Sequence, residues 1–152
     1  MIAKRTNSDN PDFQELVKAL DFELKIRDGE DHAFYAALNK TDAIKHVIVM
    51  YDENRAVGCG SFKKYASKIM EIKRMYVSEQ ARNKGIASMV LKNLELWCQE
   101  LGIHKCILET GINQPEAIHL YKKNGYQIIP NYGAYENMET SVCFEKELTN
   151  TI

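Results

Sequence analysis

The chain has 152 residues, a formal net charge of −1 and 45% hydrophobic residues. That length predicts a single domain over 1–152 that can bury a core without disulfides or metals, and near-neutrality argues against a general nucleic-acid surface. No window approaches the ~18 consecutive apolar residues of a membrane span, and the N-terminus lacks a basic region leading into an apolar signal core, so a cytoplasmic protein is expected.

A short strand is predicted over 2–5. Ser8, Asp9 and Asn10 followed by Pro11 read as a helix start, with cap acceptors and a proline where its missing N–H costs little. Phe13, Leu16, Val17, Leu20 and Leu24 then recur at three- and four-residue steps until Asp28-Gly29. A second, shorter helix is expected over 31–38. Three extended runs follow at 46–51, 55–65 and 69–77, the first two joined by the turn Asp52-Glu53-Asn54. Ile86, Val90, Leu91, Leu94, Trp97 and Leu101 mark one face of a helix that stops at Gly102. A short buried strand over 106–109 comes next, then a helix opened by Pro115 and closed by Asn124-Gly125. A strand over 126–129, a loop rich in asparagine and tyrosine, and a last strand over 140–146 complete an α/β order with a mixed sheet.

Cys59, Cys98, Cys106 and Cys143 form no C-x-x-C pair, so buried thiols in a reducing compartment are expected rather than a zinc ribbon or redox motif. His32, His46, His104 and His119 show no ligand spacing, and no metal is expected.

The most informative stretch is Arg82-Asn83-Lys84-Gly85-Ile86-Ala87, between the extended run ending at Val77 and the long amphipathic helix. A strand-to-helix junction leaves amide N–H groups without intrahelical partners at the positive end of the helix dipole, a docking place for phosphate oxygens. The pattern G-x-x-x-x-G-K-[ST] is absent, and Gly58 and Gly60 begin a G-x-G-x-x-G that fails at Lys63. What remains is R-x-x-G-x-A. Downstream, 113–126 reads Asn113-Gln114-Pro115-Glu116-Ala117-Ile118-His119-Leu120-Tyr121-Lys122-Lys123-Asn124-Gly125-Tyr126.

These two segments, in this order, resemble the signatures of the GNAT superfamily of acetyl-CoA-dependent N-acetyltransferases: R/Q-x-x-G-x-G/A, and N-x-x-A-x-x-L-Y-x-x-x-G-F/Y with small spacing changes. The resemblance runs from about Lys45 to Leu148 and is least specific in the first forty residues. It implies a GNAT-like mixed, mostly antiparallel central sheet of about six to seven strands flanked by about four helices. It further implies acetyl-CoA as cosubstrate, with its pyrophosphate on the main chain of Arg82, Asn83, Lys84, Gly85, Ile86 and Ala87. Asn113 would hydrogen-bond the pantetheine arm, and main-chain N–H groups near Met75, Tyr76 and Val77 would face the thioester carbonyl. At Gly85 a bulky side chain would hold the pyrophosphate off the backbone. A basic patch of Arg82, Lys84, Lys122 and Lys123 either meets the coenzyme's phosphates or is simply solvated.

Acetyl transfer to an amine needs a proton acceptor, because an unperturbed lysine-like amine has a pKa of about 10.4. Glu71 is the candidate base, and alternation would put Glu71, Lys73, Met75 and Val77 on one side unless a bulge intervenes. An exposed strand glutamate paired with a lysine is the competing reading. Tyr121 is the implied general acid for the departing thiolate, or else a core tyrosine beside Ala117, Ile118 and Leu120. No cysteine is beside an obvious histidine base, which suits direct transfer in a ternary complex.

Asp28, Glu30, Asp31 and Tyr35, with Asn131, Tyr132, Tyr135 and Glu136, would suit a cationic acceptor, although such residues also serve as solvated caps or contacts of a possible homodimer. Three functional readings stand: acetylation of a small-molecule amine, acetylation of a protein or peptide, and a non-catalytic coenzyme A-binding module.

Overall fold

The computed structural model describes residues 1–38 and 43–148. Seven strands, β1 (Ile2–Thr6), β2 (His46–Asp52), β3 (Arg55–Ala66), β4 (Ile69–Val77), β5 (Lys105–Gly111), β6 (Gln127–Ile129) and β7 (Ser141–Glu147), form one sheet in the order β1-β2-β3-β4-β5-β7-β6. Every neighbouring pair is antiparallel except β4 and β5. Among the described residues four α-helices, α1 (Pro11–Asp28), α2 (His32–Leu38), α3 (Ile86–Glu100) and α4 (Pro115–Lys123), flank it, and the sheet is mostly antiparallel as expected.

Local chemistry explains the boundaries. The Phe13 N–H donates to the Asn10 side chain at 3.0 Å, and Pro11 occupies the first turn of α1. Glu53 and Asn54 both have positive φ, the two-residue geometry that matches strand twist, and join β2 to β3. Gly29–Asp31 forms a separate 3-10 turn, so α2 begins at His32, one residue later than expected. Leu101 lies outside α3 and is exposed, while Cys98 takes the buried place. All four cysteines are buried free thiols.

Alternation along β2 sorts the two faces of the sheet. Val47 and Val49 pack with Phe13, Leu16 and Val17 of α1, whereas Ile48 and Met50 pack with Val90, Leu91 and Leu94 of α3. Fully burying each such side chain stabilises the fold by about 1.5–3 kcal/mol. Tyr35 of α2 joins Tyr135 and Cys143 on the α1 face, and Tyr121 of α4 joins Phe144 on the α3 face.

Two irregularities in β4 create the space that matters. Cys59 pairs with Tyr76 but Ser61 pairs with Lys73, so Gly60 faces both Arg74 and Met75 across a bulge. Arg74 adopts φ +60°, a region side-chain-bearing residues rarely visit, and is held there by Asp21 of α1 at 2.6 Å. The bulge reverses the alternation: Tyr76 packs on the α1 face, and Met75 and Val77 on the α3 face. Met75 and Val77 therefore do not share a side with Glu71, as unbroken alternation would require. Gly60 makes room for this, because a Cβ there would lie 2.5 Å from the Met75 sulfur and 2.8 Å from Leu94 and Val90 methyls.

The second irregularity is a parting of strands. The β4–β5 ladder covers only Ile69–Lys105, Met70–Cys106 and Glu71–Ile107. Beyond that point the two strands diverge into a wedge.

Candidate active site

The wedge is a cleft with about 710 Å³ of empty space, part of it open to solvent. One wall is β4 from Glu71 to Met75, the other Glu109, Thr110 and Gly111 of β5, and Leu20, Leu24 and Asp28 of α1, Tyr35 of α2, Tyr121 of α4 and Tyr135 complete it. The side-chain alternation brings Glu71, Lys73 and Glu109 to it from the α1 face, and Tyr121 from the α3 face.

The two carboxylates have different surroundings. Glu71 is 6% exposed, not the exposed strand residue that was the competing reading. It does carry the lysine partner of that reading, Lys73 at 3.8 Å, and accepts a 2.7 Å hydrogen bond from the Tyr132 hydroxyl. Burial, opposed by Glu71, lowers the Lys73 pKa. Glu109 accepts a 2.7 Å bond from the Ser141 hydroxyl, and its pKa is raised to about 7. Burial is the chief cause, countered by Ser141 and Lys73 and reinforced by Asp28 and Glu71. Burial, and secondarily the Glu109 charge, raises Tyr121, so its hydroxyl remains a proton donor throughout the neutral range. Its ring packs on Tyr126 and Phe144 at centroid distances of 5.8 Å.

The loop 82–87 lies where β4 hands over to α3, after a 3-10 turn at Glu79–Ala81. Asn83 and Gly85 take positive φ, +65° and +78°. Such left-handed residues turn successive N–H groups toward one concave side. No side chain caps the α3 N-terminus, unlike that of α1. Gly85 thus has a reason beyond bulk to be glycine, its positive φ, and a Cβ there would meet nothing within 4 Å. The Arg82 side chain is already engaged. Its Nε donates to the Val77 carbonyl at 3.0 Å, and its guanidinium pairs with Glu23 at 2.7 Å and lies over the Tyr76 ring. Glu23 also pairs with Arg27 at 3.7 Å and Arg27 with Glu116, a ladder of charges from the loop to α4. Asn113 is exposed beside this ladder, 3.4 Å from the Arg27 carbonyl, and lines a smaller cavity with Arg27, Asp28, Tyr35 and Thr140. Lys84, Lys122 and Lys123 are exposed.

Of the residues expected around an acceptor, Asp28, Tyr35 and Tyr135 line the cleft, and Tyr132 reaches it through Glu71. Asp31 accepts from Thr140, Asn131 donates to the Met138 and Ser141 carbonyls, and Glu30 and Glu136 are exposed. Sequence reasoning missed Glu109 and Lys73 as cleft groups, and Ser141 as the hydroxyl that donates to Glu109. The signal for Glu109 was a charge at the end of the apolar run Cys106-Ile107-Leu108.

A family model described as acetyltransferase (GNAT) family matches residues 8–126. An IAA acetyltransferase of Azospirillum brasilense is 33% identical over 93 residues, 60% of this chain and 61% of that protein. The uncharacterised N-acetyltransferase YsnE of Bacillus subtilis is 29% identical over 100 residues, 64% of this chain and 66% of its own length. The matched region thus spans a little under two thirds of these relatives. A candidate acyl-CoA N-acyltransferase of Klebsiella pneumoniae superposes with a TM-score of 0.81 at 27% identity, covering 97% of both chains. An acetyltransferase of Elizabethkingia anophelis, solved with acetyl-CoA bound, has the same fold at TM-score 0.69 and 17% identity, over 97% of both chains.

Proposed function

Because the chain belongs to the acetyltransferase (GNAT) family, we propose that it is an acyltransferase moving an acetyl group from acetyl-CoA to a primary amine of a small molecule, by direct attack with both substrates bound. The observation that carries this reading is the β4–β5 cleft, which brings Tyr121 from one face of the sheet toward Glu71 and Glu109 on the other.

The residues present fit the coenzyme. The uncapped α3 N-terminus and the open space over Gly85 leave the main chain of residues 83–87 available to a diphosphate, whereas the Arg82 N–H, expected to join them, donates to the Glu79 carbonyl at 3.4 Å. Asn113 and the backbone of Met75, Tyr76 and Val77 would accompany the pantetheine arm. Acetyl-CoA, when bound, supplies an activated acyl carbon on a thiol leaving group.

The chain's own groups then answer the remaining chemical needs. Asp28, Glu71 and Glu109, among the Tyr35 and Tyr135 rings, favour entry of a cationic amine. Glu71, the base expected from sequence, is held by Lys73 and Tyr132 in position to bind that charge. Past Glu71 no strand pairs with the β5-facing edge of β4 among the described residues, so main-chain N–H groups there are suited to stabilise a developing oxyanion. Tyr121 donates its proton to the departing sulfur.

The bounded cleft favours a small acceptor over an extended peptide. Thiol release from acetyl-CoA across a panel of primary amines and lysine-containing peptides tests this. Release with small amines is the expected result. Release with peptides alone would replace the acceptor class, and tight coenzyme binding without release would leave only a binding module.

A further inference from the structure

Five side chains form an unbroken hydrogen-bonded line from the cleft toward the outside. Ser141 Oγ donates to Glu109 Oε2 at 2.7 Å, and the Tyr35 hydroxyl lies 2.7 Å from both Ser141 Oγ and Thr140 Oγ1. Thr140 Oγ1 in turn donates to Asp31 Oδ2 at 2.9 Å. Exposure follows the line: Ser141 and Tyr35 are buried at 7% and 5%, while Thr140 and Asp31 are partly exposed. Tyr35 lines both cavities, the main one with Glu109 and the smaller one with Thr140. Four elements, β5, β7, α2 and the 3-10 turn before it, contribute to this line.

Resting on the acetyltransferase reading above, we infer that Glu109 is the base that takes the proton of the acceptor ammonium, and that Ser141, Tyr35 and Thr140 relay this proton to Asp31 and solvent. Glu71 is less suited, since Lys73 pairs with it and Tyr132 donates to it, and no hydroxyl chain leads outward from it among the described residues.

The step balances without another reactant. The ammonium N–H bond breaks with its electron pair remaining on nitrogen, and an O–H bond forms on Glu109. Once Ser141 turns its hydrogen away from Glu109, Glu109 passes its proton to Ser141. Ser141 passes one to Tyr35, Tyr35 to Thr140, and Thr140 to Asp31, which releases it to water. Each hydroxyl gives one proton and gains one. The second nitrogen proton, lost as the amide forms, balances the one Tyr121 gives to sulfur. The groups facing Glu109 are Lys73 and Glu71 of β4, Asp28 of α1, Tyr35 of α2, Tyr121 of α4, Ser141 and Cys143 of β7, and Tyr135. Burial raises the Tyr35 pKa, keeping it a hydroxyl that can both give and receive.

The first test needs no turnover. Carboxyl-carbon NMR on the full chain labelled at glutamate, with Glu109→Gln identifying the resonance, should show Glu109 titrating near neutrality, and titration in the ordinary carboxylate range would overturn the inference. The second uses acetyl-CoA with the amine giving fastest thiol release. Glu109→Gln should lose the acid limb of the kcat/KM profile. Tyr35→Phe and Thr140→Val, which break the line at different points, should keep that limb but lower kcat about tenfold in dilute buffer, with recovery in concentrated imidazole. A buffer-independent kcat in both variants, or an unaltered profile in Glu109→Gln, would sink the relay while leaving acetyl transfer standing. Absence of release by the parent chain with every acceptor would sink the parent reading and the relay with it.

Discussion

Glu109→Gln should make the protein more stable at neutral and alkaline pH. The substitution keeps an oxygen to accept from Ser141 but removes the charge that the cleft resists. In the folded chain the Glu109 pKa is raised from 4.5 to about 7, so folding favours the protonated form. The unfavourable term is absent below the unfolded pKa, grows between about pH 4.5 and 7, and is complete above the folded value. A shift of this size has a ceiling of about 3 kcal/mol. Lys73's attraction is already contained in that net shift, and partial solvent exposure reduces the expected gain to roughly 1–2 kcal/mol. Urea unfolding of both chains at about pH 5 and about pH 8, with m-values compared, measures it. The stability gap should widen in favour of the variant as pH rises. A gap that stays constant or narrows would refute the argument that burial strains the Glu109 carboxylate.

Four other substitutions, at Gly85, Tyr121 and Gly60, probe the cleft and the structure around it. Gly85→Ala should cost about 1 kcal/mol in unfolding free energy through φ +78° alone, since no atom obstructs its Cβ. Gly85→Glu should abolish acetyl-CoA binding by calorimetry, and retained affinity would remove the 82–87 loop from the site. Tyr121→Phe should lower kcat about 100-fold with acetyl-CoA affinity within about twofold, and an unchanged rate would return Tyr121 to the core it shares with Tyr126 and Phe144. Gly60→Ala should destabilise by about 1–3 kcal/mol in thermal unfolding, because Met75, Val90 and Leu94 already fill the volume of its Cβ; an unshifted Tm would contradict that packing.

The helices were legible because their signals are local. Asn10-Pro11 sets a start, Gly102 and Gly125 set stops, and the apolar spacing of α1 and α3 names their buried faces. The loop at 82–87 was legible for the same reason, a glycine at the junction of two strongly patterned segments. The cleft beside it was not. Glu109 lies 38 positions beyond Glu71, and only the pairing of Glu71 with Ile107 brings those two carboxylates to one opening. Its relay partners come from still farther along or before it, at Ser141, Thr140 and Tyr35. No period in the sequence relates residues whose proximity is set by strand order.

The β4 bulge illustrates why the alternation argument fails where chemistry begins. A regular strand would carry Glu71, Lys73, Met75 and Val77 on one face, exposing two apolar side chains to the α1 side and leaving α3 without them. Inserting Arg74 lets the same strand present charge before the bulge and apolar contacts after it. The conformational cost, a left-handed arginine, is of order 1–3 kcal/mol and is offset where Asp21 pairs with it and Gly60 admits Met75. The polar stretch then sits beside the point where β5 departs, and the apolar stretch leads into the 82–87 loop. One extra residue therefore couples two features of the cleft: carboxylates on its α1 side, and a strand end packed on α3 next to the main chain beside Gly85.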